Sequence, residues 1–245
     1  MSERSGSLHA AALSRAYAGI RALDDVTITV NSHEVVGLIG PNGAGKSTLV
    51  NLLSAFDFPT TGSVLLDGID ITTWPAHRRV RAGLARTFQH GHAFPGLTAR
   101  ENVEVAALGS GASAKSAHRR ARELLELLGI ADHADADASS LAHGDERLLG
   151  VARALATEPK FVLLDEPAAG LNEDEIGAFA DTIRLLRNER QAGVLLIDHN
   201  VPLVLGVCDR IHVLDQGVTL AEGTPAEIRS HPAVAEAYLG GTAAA

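Results

Sequence analysis

Short apolar runs ending in Gly or Asp punctuate the chain. "VVGLIG" (Val35–Gly40), "FVLLD" (Phe161–Asp165) and "VLLID" (Val194–Asp198) carry no polar alternation. Such runs suit strands buried on both faces, as in a parallel sheet covered by helices. Helical patterns separate them, which predicts an α/β core. "VTITV" (Val26–Val30) alternates apolar with polar, and "GSVLLDG" (Gly62–Gly68) ends in a turn signal. Both predict antiparallel strands of a side sheet.

The middle of the chain reads differently. From Leu97 to Thr157 the periodicity is helical throughout. "GSGASAKS" (Gly109–Ser116) is a small-residue loop. Arg119–Leu128 is a helix with Leu124, Leu125 and Leu128 on one side, stopped by Gly129. Leu148, Val151, Ala152 and Leu155 give the second half of "LAHGDERLLGVARAL" (Leu141–Leu155) an apolar helical face. The expected organisation is therefore an α/β core over residues 1–96 and 158–219, including the side sheet. An all-helical subdomain over 97–157 is inserted into it, and a C-terminal helical segment and tail follow over 220–245. In that last segment Thr224-Pro225 with Glu227 marks a helix start, Ala235–Leu239 can make an apolar face, and "GGTAAA" reads as a frayed tail. No internal repeat stands out.

Charge and composition narrow the function classes. The net charge of -9 argues against a nucleic-acid binder, because phosphate contacts need clustered Lys and Arg. The densest basic stretch, "HRRVRAGLAR" (His77–Arg86), reads as a solvated helix face. The single cysteine, Cys208, allows no disulfide within the chain and no cysteine metal cluster; it reads as a small buried residue. "MSERSGS" lacks the apolar core of a signal peptide, and no apolar run is long enough to span a bilayer. The expectation is a cytosolic chain whose membrane role, if any, comes through a partner.

The chemistry concentrates around one loop. "GPNGAGKST" (Gly40–Thr48) fits G-x-x-x-x-G-K-[ST] and follows a predicted strand. Backbone N–H groups of Asn42, Gly43, Ala44, Gly45, Lys46, Ser47 and Thr48 can close around phosphates, with the positive end of the next helix behind them. Lys46 supplies a charge and Ser47 a hydroxyl for Mg²⁺. Asp165, at the end of "FVLLD", would hold the same ion directly or through water. Glu166 is placed to polarise an attacking water. These residues alone fit any phosphate-loop nucleotidase with a P-loop NTPase core. No Asn-Lys guanine reader occurs, which argues against a GTPase. The inserted helices make a poor lid for a small-molecule kinase but a good docking surface.

With those motifs in order, the chain resembles the nucleotide-binding subunits of ABC transporters over about Leu8 to Gly240. The resemblance implies ATP sandwiched between the phosphate loop of one subunit and a signature turn of the other. The family's Leu-Ser-Gly-Gly-Gln corresponds to Leu141, Ala142, His143, Gly144 and Asp145. The turn keeps Gly144 but lacks the serine hydroxyl, and Asp145 stands where a neutral amide is usual. Near phosphate that acid would repel; turned away, it would cap or charge-match the first helical turn. Tyr17 matches the aromatic that stacks on adenine. Gln89 matches the glutamine joining Mg²⁺ to the permease's coupling helix. "AAGLN" (Ala168–Asn172) matches the loop touching the opposite subunit, and His199 the histidine that holds the γ-phosphate and orients the water. His90 and His92 read as loop histidines. The implied function is a Mg²⁺-dependent ATP hydrolase that powers membrane import. Its partners would be a second ATPase subunit, identical or paralogous, transmembrane permease subunits and, indirectly, a solute-binding protein. It would work as a peripheral protein on the cytoplasmic face of the cell membrane. "GLARTFQ", "FPGLTARENV", "DEPAAGLN" and the tail Leu220–Gly240 resemble the branched-chain amino-acid uptake ATPases more narrowly. A lipid- or lipopolysaccharide-handling ABC ATPase, a soluble ABC-type ATPase without a permease and a nucleotide-binding regulator are the alternatives.

Overall fold

Three strands without a polar position set the centre of the molecule. In this computed structural model, which describes residues 6–88 and 93–239, β3 (Val35–Ile39), β7 (Phe161–Asp165) and β8 (Gly193–Ile197) are buried at every residue. Alternate side chains still go to opposite faces. Val36, Leu38, Phe161, Leu163, Leu195 and Ile197 enter one core, while Val35, Ile39, Val162, Leu164, Val194 and Leu196 enter the other. Together with β6 (Leu84–Arg86), β9 (Arg210–Asp215) and β10 (Val218–Gly223) they form a six-stranded sheet in the order β10-β9-β3-β8-β7-β6. All its neighbours are parallel except β9 and β10.

A second sheet is antiparallel throughout. It contains β1 (Ser7–Tyr17), β2 (Ile20–Asn31), β4 (Thr61–Leu66) and β5 (Ile69–Asp70), in the order β2-β1-β4-β5. In β2 the buried positions Val26, Ile28 and Val30 alternate with polar ones, which is the pattern of a sheet wet on one face. The dry face packs on α1 (Lys46–Ser54), whose Leu49, Val50, Leu52 and Leu53 join the same core as Val26, Ile28, Val36 and Leu38. The phosphate-loop helix is thus sandwiched between two sheets.

Between β6 and β7 the chain is helical: α3 (Ala99–Gly109), α4 (Ala114–Leu127) and α5 (His143–Leu155), joined by 3₁₀ turns at Ala131–His133 and Ala138–Ser140. α6 (Glu173–Asn188) and α7 (Val201–Val207) cover the same face of the large sheet. The loop between α3 and α4 is shorter than its small-residue composition suggests. α3 runs to Gly109, and Ser113 caps α4 by accepting from the Ser116 N–H. The α4 helix therefore begins at Ala114 rather than Arg119, because the Ser113 cap is followed by the good helix formers Ala114, Lys115 and Ala117. At the C-terminal end Thr224 and Glu227 form a reciprocal capping box that starts α8 (Pro225–Ser230). Among the described residues no helix is long and apolar enough to cross a membrane.

One basic stretch departs from its expected solvated face. In α2 (Ala76–Arg81), Arg79 is 1% exposed. Its guanidinium donates to the carbonyl oxygens of Leu52 and Leu53 at 2.6 Å, Thr72 at 2.7 Å and Trp74 at 3.2 Å. The last carbonyls of α1 have no helical partner, so a buried cation supplies the donors. Burial lowers its pKa to about 10. Cys208 is buried, as its composition argued, and its thiol is pushed up to about 12 by burial. The N-terminal residues 1–5, His90, His92 and the "GGTAAA" tail lie outside the described residues.

Candidate functional site

The turn from β3 into α1 needs glycine at two crowded points. Gly40 has φ +153, and a Cβ there would lie 2.1 Å from the Leu214 carbonyl oxygen. Gly45 has φ +103, and its Cβ would come within 2.7 Å of the Ala22 carbonyl oxygen. The loop therefore closes tightly, with the Ala44 N–H donating to the Pro41 carbonyl at 3.2 Å. Residues 42–48, with Ala22, Glu166 and His199, line a cleft of about 260 Å³. Asn42, Gly43, Ala44, Gly45, Lys46, Ser47 and Thr48 thus meet Glu166 and His199 in one place.

Lys46 donates to the carbonyl oxygens of Gly40 at 2.6 Å and Pro41 at 2.9 Å. Partial burial lowers its pKa, opposed by the nearby Glu166 and Asp165 charges. Its cation is held inside the loop by the loop's own carbonyls, ready for a phosphate to compete for it. Opposite it, Nε2 of His199 lies 3.2 Å from Oε1 of Glu166. A carboxylate and an imidazole at that distance can share and orient one water. Glu166 stands at φ +49, a left-handed conformation costing about 1–2 kcal/mol for a side-chain-bearing residue. Its N–H donates to the Ile197 carbonyl at 2.7 Å, and its own carbonyl accepts from Nη1 of Arg147 at 2.8 Å.

Asp165 sits behind the cleft, 5% exposed. Burial pushes its pKa up, countered by the Arg86 guanidinium 3.0 Å away. Arg86 also donates to Asn51 and Ser54 of α1 and lies 5.3 Å and 5.0 Å from the ring centres of Phe56 and Phe88. Ser47 and Asp165 are hard oxygen donors of the kind Mg²⁺ takes. Among the described residues no three His, Cys, Asp or Glu side chains gather to hold a metal. Mg²⁺ there would take one carboxylate and one hydroxyl, with phosphate and water oxygens completing its shell. Gln89 lies outside the described residues.

The remaining residues stand apart from the cleft lining. Tyr17, 43% exposed, ends β1; its hydroxyl donates to Asp57 and the Arg15 guanidinium lies 4.7 Å over its ring. Ala142 is the N-cap of α5, with no side-chain cap bond, and His143, Gly144 and Asp145 form the first turn. A Cβ on Gly144 would lie 3.4 Å from the Gly170 carbonyl and 3.2 Å from Leu171, so the turn rests on the loop that follows Glu166. The Asp145 carboxylate faces Nε2 of His133 at 3.4 Å, and it charge-matches the helix start without capping it.

Three useful residues were not legible as such. Asp198 is buried, accepting from the N–H groups of Ala168 and Asn200 at 3.0 and 2.8 Å. It ties the loop after Glu166 to the loop carrying His199. A strand-ending Asp beside a His was a signal for it. Arg86 and Arg147 carried no such signal, since each acts across the fold.

Comparison with known proteins gives a consistent picture. The family model for ABC transporters matches residues 23–169, and that for the C-terminal part of branched-chain amino acid ATP-binding cassette transporters matches 218–244. The high-affinity branched-chain amino acid transport ATP-binding protein LivG of Salmonella typhimurium is 42% identical, covering 91% of this chain and 94% of its own. The lipopolysaccharide export system ATP-binding protein LptB of Escherichia coli K12 is 39% identical, covering 93% and 95%. Among solved structures, the ADP conformation of an ATP-binding cassette of an ABC transporter superposes with a TM-score of 0.83 at 29% identity, covering 96% and 99%. A dimeric cassette in a post-hydrolysis state, bound to ADP and Pi, gives 0.83 at 26% identity, covering 89% and 98%.

Proposed function

We propose how this cleft works from one premise: the chain belongs to the ABC transporter ATP-binding family. It is a nucleotide-binding subunit and an ATP hydrolase. The observation that carries the reading is the meeting of a phosphate loop with the Glu166–His199 pair, 3.2 Å apart, across one cleft. Backbone N–H groups of 42–48 bind the β- and γ-phosphates, and the start of α1 adds its positive end. Lys46 moves from the Gly40 and Pro41 carbonyls onto the phosphates. Glu166 accepts a hydrogen bond from the attacking water and polarises it, while His199 donates to the γ-phosphate. Tyr17 stacks on adenine.

Ser47 and Asp165 would hold Mg²⁺, with Gln89 as the third contact. When bound, that ion neutralises charge developing on the phosphate oxygens. Asp165 would hold the ion in exchange for its contact with Arg86.

Hydrolysis takes place in a pair. The α5 turn, Ala142 to Asp145, supplies N–H groups and a positive helix end to ATP on a second ATPase subunit, identical or paralogous. The dimeric relative bound to ADP and Pi supports this arrangement. The helical region over 97–157 and Gln89 carry the closing motion to transmembrane permease subunits on the cytoplasmic face of the membrane, and a solute-binding protein delivers cargo. The cargo is a branched-chain or related amino acid, supported by the C-terminal family match and the LivG likeness.

Two experiments test this. Purified chain should release phosphate from MgATP, and Glu166→Gln should bind ATP and release almost none; equal turnover by both would overturn the assignment. Cells lacking the chain should lose labelled leucine uptake with normal surface lipopolysaccharide. The opposite result would favour the lipopolysaccharide-export reading that the LptB likeness raises.

A further inference from the structure

Arg147 is the residue on α5 that reaches the reacting side of the molecule. Its Nη1 donates to the main-chain carbonyl of Glu166 at 2.8 Å, and among the described residues that is its only hydrogen bond or ion pair. The preceding peptide of Glu166 is anchored too, by the N–H bond to Ile197 in β8. The left-handed residue is therefore held on both sides: by the sheet through its N–H and by the signature helix through its carbonyl. Such a conformation persists only where neighbours over-determine it. The first turn of α5 also rests on Gly170 and Leu171, so helix and loop bear on each other at two points.

We propose that Arg147 is a positioning residue that ties the orientation of the Glu166 carboxylate to the position of α5. In a twofold pair, α5 faces the nucleotide of the opposite site, while Glu166 serves the nucleotide of its own. Arg147 then links the two sites within one subunit. Nucleotide gripped by the α5 turn shifts the helix, and the helix turns the Glu166 peptide through its carbonyl. A small change there redirects the carboxylate, and rate is steeply sensitive to such placement. The bond needs a charged donor at this reach: lysine keeps the charge with one ammonium, and methionine fills the space without donating. The inference rests on the paired reading above.

The test separates the two. Glu166→Gln is first run on a sizing column with MgATP. A monomer overturns the paired reading, and this inference with it, before any Arg147 variant is made. Given a dimer, wild-type hydrolysis should rise with ATP at a Hill coefficient above 1. In Arg147→Met, kcat should fall about tenfold or more and the Hill coefficient should drop to 1. ATP affinity, read by displacement of a fluorescent nucleotide, and the thermal melt should stay at wild-type values. Arg147→Lys should recover part of both losses. Unchanged kcat and Hill coefficient in Arg147→Met overturn the proposal. So does a wild-type Hill coefficient of 1, or a kcat loss that comes with weaker ATP binding, a lower melt and no rescue by lysine.

Discussion

Arg79 does with one side chain what four separate caps would otherwise do. Its donors meet carbonyls of Leu52, Leu53, Thr72 and Trp74, binding the end of α1 to the segment that leads into α2. Arg79→Met keeps the stem but strands four carbonyl acceptors; at about 1–3 kcal/mol for each one that water does not reach, a loss of about 3–5 kcal/mol is expected. At roughly 2–4 °C per kcal/mol for a chain of this size, the melting temperature should drop by about 6–20 °C. Calorimetry on both proteins checks it; a shift within about 2 °C would mean water replaces the guanidinium. Lys46→Ala should abolish binding of a fluorescent ATP analogue with the melt little changed, because its partners are two loop carbonyls that solvent can reach. At this scale the sequence was legible where a residue acts on its neighbours: the phosphate-loop motif around Gly40 and Gly45, and the burial of Cys208, followed from local pattern, whereas the atoms that crowd the two glycines belong to Leu214 and Ala22. The sequence was silent on Arg79, Arg86 and Arg147, whose bonds to Leu52, Asp165 and Glu166 span 27, 79 and 19 residues. An arginine inside a basic run gives no sign of which guanidinium turns inward.

Elements were easier to read than their ends. The apolar runs at β3, β7 and β8 and the alternation in β2 follow directly from two-sided and one-sided burial. The α3–α4 loop is shorter than its composition predicts, because Gly109 and the small residues after it disguise a cap at Ser113. The β9–β10 hairpin carries its own prediction. His212 is fully buried in β9; its Nδ1 donates to Glu222 at 3.2 Å and its Nε2 accepts from the Thr219 hydroxyl at 3.0 Å. Both nitrogens are satisfied in the neutral ring, and Arg210 stands on the same carboxylate. Burial holds the pKa below the ordinary 6.5, with Glu222 opposing. The folded state binds this proton less readily than the unfolded chain. The stabilisation is thus present above about pH 6.5 and is lost as pH falls through the lowered folded value. Chemical denaturation between pH 7.5 and about 5 should show wild type weakening on acidification. His212→Gln should weaken less. Parallel curves for the two would remove His212 as the cause.

For the whole molecule, one arrangement bears on the proposed pairing: the cleft is lined by residues 42–48, Ala22, Glu166 and His199, and the α5 turn lies elsewhere in the chain. A cleft without that turn leaves the γ-phosphate to water. Glu166→Gln with MgATP should therefore elute at twice the monomer mass, and removing MgATP should return it to one; light scattering on the eluting peak reads both. Dimers that ignore nucleotide would point to another contact. The order of motifs is what raises the proposed pairing in the sequence, whereas the residues Ala142, His143 and Asp145 depart from the family's pattern and say nothing of its strength. The structure gives Asp145 a partner in His133 at 3.4 Å, so its charge is balanced within the chain.

Cys208 has a practical consequence. It is the only thiol in the sequence, it is buried, and its pKa is pushed up to about 12. Maleimides react with thiolate, so at neutral pH the folded chain is a silent background for labelling. Lys115→Cys, at an exposed position on α4, would carry one dye at one address, with the native cysteine left in place. Two such subunits, one with donor and one with acceptor, would report their approach and separation in real time during a single round of turnover.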